Sequence, residues 1–289
     1  MARAVRDGCL GWSRSRAARR GRALSTSVLY AYGVVRPTAP IARAPRGLDG
    51  STVTLEPHAG PVAVLVSSLD AAVYASVTME TRAADVDWVG PRAVAHDAVL
   101  SWASEAGGVV PFPMFTLFAS PDSLRAMLRE REGSLDALLD RVSPSQEWTV
   151  RLFRLDDRAI AALGLTSPAL AEIAQRAQHA APGQRYLLER KADEITGAEL
   201  RRVSGETARE AFDALSPLGE QSVRDALPAT PSSARPAGVA VLDASFLVRR
   251  DRTDAFRAAA AQLADTVEPR GFRVELSGPW PPYHFVRDD

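Results

Sequence analysis

Four histidines, at positions 58, 96, 179 and 284, are the residues of this chain best suited to acid–base or metal chemistry. No two stand at a spacing such as H-E-x-x-H, which would set two ligands on one helical face. Metal binding is therefore not expected. His96 and Asp97 form an adjacent acid–base couple on a stretch of helical pattern. Neighbouring helix residues point about 100° apart, and no third group converges on them. The couple reads first as a polar edge or a helix-packing hydrogen bond, and second as an enzyme site near His96. There is no G-x-S-x-G elbow, no Walker loop and no G-x-G-x-x-G after a strand, so nucleophilic and nucleotide chemistry find no support and no cofactor is expected. Asp156-Asp157 and Asp288-Asp289 read as a solvated turn and a tail. Cys9 stands alone, which leaves no internal disulfide or multi-thiolate metal site and suits a reducing cytoplasm.

The ending Leu276-Ser277-Gly278-Pro279-Trp280-Pro281-Pro282-Tyr283-His284-Phe285-Val286 carries chemistry of another kind. Each proline fixes its own φ and pushes its predecessor toward extended geometry, so this is a stiff, non-helical arm with three aromatic residues. It would lose little backbone entropy on docking. One reading docks it on the N-terminal domain of its own chain; the other offers it to a second chain.

The elements that must position these residues follow from hydrophobic period and breakers. Val28 to Val35 reads as a buried strand closed by Pro37. Thr52 to Glu56 and Val62 to Ser67 flank a turn with Pro57 and Gly60, a hairpin. From Pro91 to Ala106, Val94, Ala98, Val99, Trp102 and Ala106 recur at helical spacing, with Pro91 in the first turn and Gly107-Gly108 as the stop. Val109 to Phe118, broken by Pro111 and Pro113, reads as a kinked or edge strand. Ser120-Pro121-Asp122 opens an amphipathic helix that ends before Ser143-Pro144. Glu147 to Leu155 is strand-like, and Ser167 to about Leu227 reads as a helical hairpin leaning on a small core. After a turn cluster at Thr230 to Pro236 come a strand (Gly238 to Val248), a helix with Phe256, Ala260, Leu263 and Val267 on one face, and an alternating strand from Phe272 to Leu276.

These elements predict an α+β protein of two domains, the second a modified ferredoxin-like one with an added helical segment. The expected divisions are an N-terminal α+β domain over 28–143, a C-terminal domain over 144–278 and a tail over 279–289 docking back on the first. Residues 1–27 carry seven arginines against one acid, Asp7, without an amphipathic period or an apolar core. They read as a disordered tail or a start codon placed too far upstream. Over all 289 residues, 35 basic residues balance 35 acidic ones, so no net field favours nucleic acid or an anionic membrane. Apart from Lys191 the basic residues are all arginine. The longest apolar run, around Val62 to Val66, is far short of the roughly 20 residues of a membrane span.

In their order, several segments resemble the L/F type gas vesicle proteins. They are Leu29-Tyr30-Ala31-Tyr32-Gly33-Val34-Val35, Gly47-Leu48-Asp49-Gly50, the helix with His96 leading to Val110-Pro111, and Phe115-Thr116-Leu117-Phe118. Glu147-Trp148-Thr149-Val150, Tyr186-Leu187 with Arg190, Ala244-Ser245-Phe246-Leu247-Val248 and Gly278-Pro279-Trp280-Pro281-Pro282-Tyr283 follow. The likeness covers nearly everything from Leu29 to Val286. It departs from the family's usual basic residue and glycine in the Pro-rich strand, which here reads Pro111-Phe112-Pro113-Met114-Phe115-Thr116. The resemblance implies a non-enzymatic cytoplasmic accessory protein, associated with gas vesicles, that binds the small hydrophobic shell protein and assists vesicle nucleation or assembly. Other vesicle accessory proteins are further expected partners. A minor component retained in the shell is the alternative. The residues carrying these expectations are Tyr30, Tyr32, Gly33, His96, Pro111, Phe115, Phe118, Gly278, Pro279, Trp280, Pro281, Pro282 and Tyr283.

Overall fold

The computed structural model of the chain describes residues 26–56, 60–74, 82, 84–227 and 238–286. The arginine-rich residues 1–25, the hairpin turn at 57–59 with His58, the turn cluster at 230–236 and Asp288-Asp289 lie outside them. The chain divides into two compact units at Ser143 and Pro144. Both combine helices with one antiparallel sheet.

In the first unit β1 (Ser27–Val35) is the central strand. Every residue from Tyr30 to Val35 is buried, as its unbroken run of β-branched and aromatic residues demands when both faces are covered. It pairs antiparallel with β3 (Ala63–Asp70), and β3 pairs with the short β2 (Thr54–Glu56), so the hairpin is present. The register between β1 and β3 slips between Ala31 and Gly33, leaving Tyr32 as the extra residue of a bulge. On the other side of β1 the Pro-rich segment forms two short strands, β4 (Val110–Pro111) and β5 (Leu117–Phe118), because the prolines between them cannot sustain one ladder.

Helix α1 runs from Val86 to Gly107, starting earlier than its first proline suggests. Asp85 caps it, accepting hydrogen bonds from the Asp87 and Trp88 amides, and Pro91 lies inside the helix. Its buried face is His96, Val99, Leu100, Ala103 and Ser104, the i, i+3, i+4, i+7, i+8 pattern of a core-facing stripe. Val94, expected on that face, is 72% exposed. The stripe lies about a third of a turn from the expected one because its first member is a histidine. Helix α2 (Pro121–Val142) opens with a capping box between Ser120 and Ser123 and buries Leu124, Leu128, Leu135, Leu139 and Val142, each contributing about 1.5–3 kcal/mol. Arg36, at the end of β1, bridges to Asp136 and Asp140 of α2.

In the second unit the sheet order is β7-β8-β6-β9, built from β6 (Ser145–Arg154), β7 (Gln221–Arg224), β8 (Val239–Arg249) and β9 (Phe272–Trp280). Between β6 and β7 stand α3 (Asp156–Thr166), α4 (Pro168–Gln178) and α5 (Pro182–Leu215); between β8 and β9 stands α6 (Thr253–Val267). Asp156 and Asp157 form the first turn of α3, where acids favour the helix dipole, and are not the separate turn expected. Residues 221–224, expected at the end of the helical stretch, are strand β7. Trp148, Val150 and Leu152 of β6 form the core with Ala244, Phe246 and Val248 of β8, Ala208, Ala211 and Leu215 of α5, and Phe256 and Ala260 of α6. α5 spans about 51 Å at 1.5 Å per residue. Its buried residues, Ser204, Thr207, Ala208, Ala211 and Leu215, all lie in its second half.

β9 also differs from expectation. It passes through Gly278-Pro279 and ends at Trp280, so the first residues of the expected tail are strand.

Candidate functional site

Two tyrosines of β1 organise the first unit. The bulge at Tyr32 leaves its ring edge-on to that of Tyr30, at 4.8 Å between centroids, and both rings lie against His96 of α1. A buried phenol needs partners for its hydroxyl, and each hydroxyl finds two. The Tyr30 hydroxyl accepts from the Phe115 amide at 3.3 Å and donates to His96 Nδ1 at 2.8 Å. His96 in turn hydrogen-bonds the Phe112 backbone. With Nδ1 accepting, the ring proton sits on Nε2 and points to the Phe112 carbonyl. The Tyr32 hydroxyl accepts from the Leu48 amide at 3.0 Å and donates to Ser67 Oγ at 3.0 Å, and Ser67 passes its proton to the Thr52 carbonyl. Tyr30 thus ties β1 to α1 and the Pro-rich segment, and Tyr32 ties it to β3 and the 47–52 loop.

Glycine is required at two positions here. A Cβ on Gly33 would strike the Val110 carbonyl and the Val109 side chain, so Gly33 lets β4 approach and pair at Pro111. A Cβ on Gly47 would overlap the Tyr32 hydroxyl.

Beside this buried network lies a half-exposed cluster. Asp49, at φ 51, accepts from Tyr74 Oη at 2.6 Å and pairs with Arg92 Nη2 at 2.6 Å. Arg92 also donates to the Tyr74 hydroxyl and lies 4.1 Å over the Trp88 ring, which stacks on Phe115. Phe115 holds φ 67, a left-handed conformation unusual for a bulky residue, between its amide bond to Tyr30 and its stack on Trp88.

Electrostatics follow from burial. Burial pushes the His96 imidazole down to about 4, so the ring is neutral at pH 7. Burial raises Tyr30 well above the ordinary tyrosine range; burial and the Asp49 carboxylate push Tyr74 up to about 12. Both nitrogens of His96 are committed to bonds that hold backbone and side chain in place. Within this network the ring acts as a fastening between α1, β1 and the Pro-rich segment. Among the described residues no group of three or more His, Cys, Asp or Glu side chains is arranged to hold a metal ion.

Of the residues singled out in the sequence, Tyr30, Tyr32, Gly33, His96, Pro111 and Phe115 come together in this one network. Phe118 is half-buried in β5, opposite Leu29. Gly278 to Tyr283 belong to the second unit. Gly278, at φ 131, passes against the Glu147 carbonyl and the Trp148 ring, where a side chain would clash. Pro281, Pro282 and Phe285 are buried, whereas Trp280 is partly exposed. Within the second unit, the tail is tied to β6 through Glu147 and lies beside Asp225. The buried Glu147 carboxylate accepts from the His284 amide at 2.9 Å and meets His284 Nδ1 at 2.5 Å, while Nε2 lies 3.4 Å from Asp225. A carboxylate 1% exposed must be satisfied, and His284 does this. Ser67, Tyr74, Trp88, Arg92 and the Glu147–His284–Asp225 set were not legible as functional residues, since their partners lie far away in sequence.

Comparison with known proteins matches this arrangement to one family. The sequence profile of the gas vesicle synthesis protein GvpL/GvpF family matches residues 28–287. Gas vesicle protein L of Streptomyces sp. (strain CB03234) is 29% identical over 262 residues, covering 89% of this chain and 92% of that protein. Gas vesicle protein L1 of Halobacterium salinarum (strain ATCC 700922 / JCM 11081 / NRC-1) is 29% identical over 214 residues, 71% of this chain and 73% of its own. In fold, the crystal structure of GvpF from Anabaena sp. PCC7120 matches with a TM-score of 0.64 at 17% identity, over 91% of this chain and 97% of that one. GvpF from Microcystis aeruginosa matches with 0.62 at 17% identity, over 90% and 99%. With the family profile spanning both units and the tyrosine network and tail falling inside it, the chain belongs to the GvpL/GvpF family of gas vesicle synthesis proteins and takes part in gas vesicle formation.

Proposed function

We propose that the protein assists vesicle assembly by binding the small hydrophobic shell protein, using binding energy alone. Free subunits of an apolar protein that assembles through β-ribs expose faces and edges prone to aggregation, and a binder that covers them keeps assembly on course. The observation that carries this reading is the outer half of α5, which extends beyond the core and holds Tyr186 at 59% exposure and Leu187 at 67%. An exposed aromatic and an aliphatic side by side on a supported helix make a contact surface for an apolar partner. Neighbouring Gln175, Arg176, His179 and Gln184 line a groove beside Leu187 and give the patch a polar rim. The order β6, α3–α5, β7, β8, α6, β9 with β7-β8-β6-β9 in space supports a modified ferredoxin-like reading of this unit, with α3–α5 as the expanded first crossover. In this reading the protein works in the cytoplasm at the growing vesicle, alongside other accessory proteins.

Co-purification of the full chain with the shell protein tests the proposal. Tyr186→Asp with Leu187→Asp is expected to abolish the association while changing stability by less than about 0.5 kcal/mol. No association of the unaltered chain, under conditions where vesicles form, refutes it. Washing of purified vesicles distinguishes an assembly factor, which is removed, from a retained minor shell component.

A further inference from the structure

β9 is an edge of the second sheet. β6 pairs along one side of it, and among the described residues no strand lies on the other. The Leu155 amide donates to the Gly271 carbonyl. By antiparallel alternation, Arg273 and Glu275 then turn their peptide groups to β6, while Phe272, Val274 and Leu276 turn theirs to the open side. An open edge of this kind is a template for another strand, and charged residues on it decide which strand fits.

We propose that β9 is a self-association edge, through which two copies of this chain pair antiparallel about a twofold axis with Val274 opposite Val274. Arg273 and Glu275 select the register. A twofold pair centred on Arg273 opposes two arginines, and one centred on Glu275 opposes two glutamates. Centring on Leu276 sets Arg273 against Pro279 and Glu275 against Ser277, so neither charge meets its opposite. Centring on Val274 places Arg273 of each copy opposite Glu275 of the other, so one pair of residues is satisfied twice, as an isologous interface requires. These are non-hydrogen-bonded positions, where side chains come closest across an antiparallel pair.

The single chain bears two further marks of this arrangement. Arg273 donates to Glu275 of its own strand through Nη2 at 2.9 Å, which holds both charged groups on one face of the edge, as the cross-axis pairing requires. On the helix-covered face, Val274 and Leu276 border a shallow groove with Ala258, Ala261 and Ala264 of α6. These small side chains leave room for α6 of the second copy beside the axis.

Sedimentation of the full chain over a range of concentrations tests the proposal, with folding checked by far-UV circular dichroism. A reversible dimer is expected. Arg273→Glu and Glu275→Arg should each weaken it by about tenfold or more, because each opposes like charges twice. The two changes in one chain restore opposite charges across the axis and should return the affinity to near that of the unaltered protein. In a Cys9→Ser background, Val274→Cys should yield a disulfide-linked dimer on mild oxidation, since residues paired across strands lie within disulfide reach. A chain that stays monomeric at every concentration overturns the proposal. So does a dimer indifferent to both charge reversals.

Discussion

Acidification should loosen the first unit through His96 in a way that can be calculated. The imidazole titrates near 6.5 when exposed and near 4 in the folded chain, because burial disfavours the cation. The native state therefore refuses a proton that the unfolded chain accepts. Its contribution is complete above about pH 6.5, declines as the pH falls and levels off below about pH 4. Integrated over that window, the loss is about 3 kcal/mol, of which about 2 kcal/mol has gone by pH 5. This is a large part of what holds a typical domain together. Geometry agrees with this sign: protonating Nδ1 would turn an acceptor for Tyr30 into a second donor, and the Tyr30 hydroxyl, which already accepts from Phe115, would have to give up its bond. The assay is urea unfolding of the full chain at pH 7 and pH 5, beside His96→Gln. Glutamine keeps a donor and an acceptor but does not titrate. The variant should be less stable at pH 7 and should lose about 2 kcal/mol less than the unaltered chain between the two pH values. Equal losses would show that His96 is not held neutral by its surroundings, and the reasoning fails.

Other perturbations test the same structural logic. Gly33→Ala forces a methyl into the Val110 carbonyl, and should lower stability by about 2 kcal/mol or more in thermal unfolding, with Ser68→Ala as a surface control. Gly47→Ala meets a side-chain hydroxyl instead of backbone, so adding Tyr32→Phe should recover part of its loss; strictly additive losses would contradict the overlap. His284→Ala removes the side-chain partner of the buried Glu147 carboxylate and should cost about 1–3 kcal/mol, with faster proteolytic trimming of the tail followed by mass spectrometry.

Much of the architecture was legible because its signals are local. Unbroken β-branched residues marked β1, Ser120-Pro121 marked the start of α2, and alternation marked β9. The misses share a cause. The α1 stripe was misplaced because His96, a polar residue, occupies a core position that only a distant tyrosine makes tolerable. β7 was read as helix because four residues without strong alternation take their conformation from β8, not from themselves. The tail's aromatic and proline content was plain, whereas the bond from His284 to Glu147 was not, because the two are 137 residues apart in sequence. Family resemblance pointed to Tyr30, Tyr32, Gly33 and His96, and the structure supplies the reason they occur together: each is a terminus of the same hydrogen-bond and close-packing network. Arg92, Trp88 and Tyr74 gave no such signal, since their cluster is assembled from separate elements around Asp49.

The uneven burial of α5 implies a gradient in time as well as in space. Around Ala211 and Leu215 an amide can meet solvent only when the core of its unit opens, whereas the turns near Tyr186 can unwind without disturbing it. Hydrogen exchange should accordingly run fast at the outer end of the helix and slow toward its root. Whatever seats on Tyr186 and Leu187 then has to stop that unwinding, and its arrival would register as slowed exchange travelling outward along the helix.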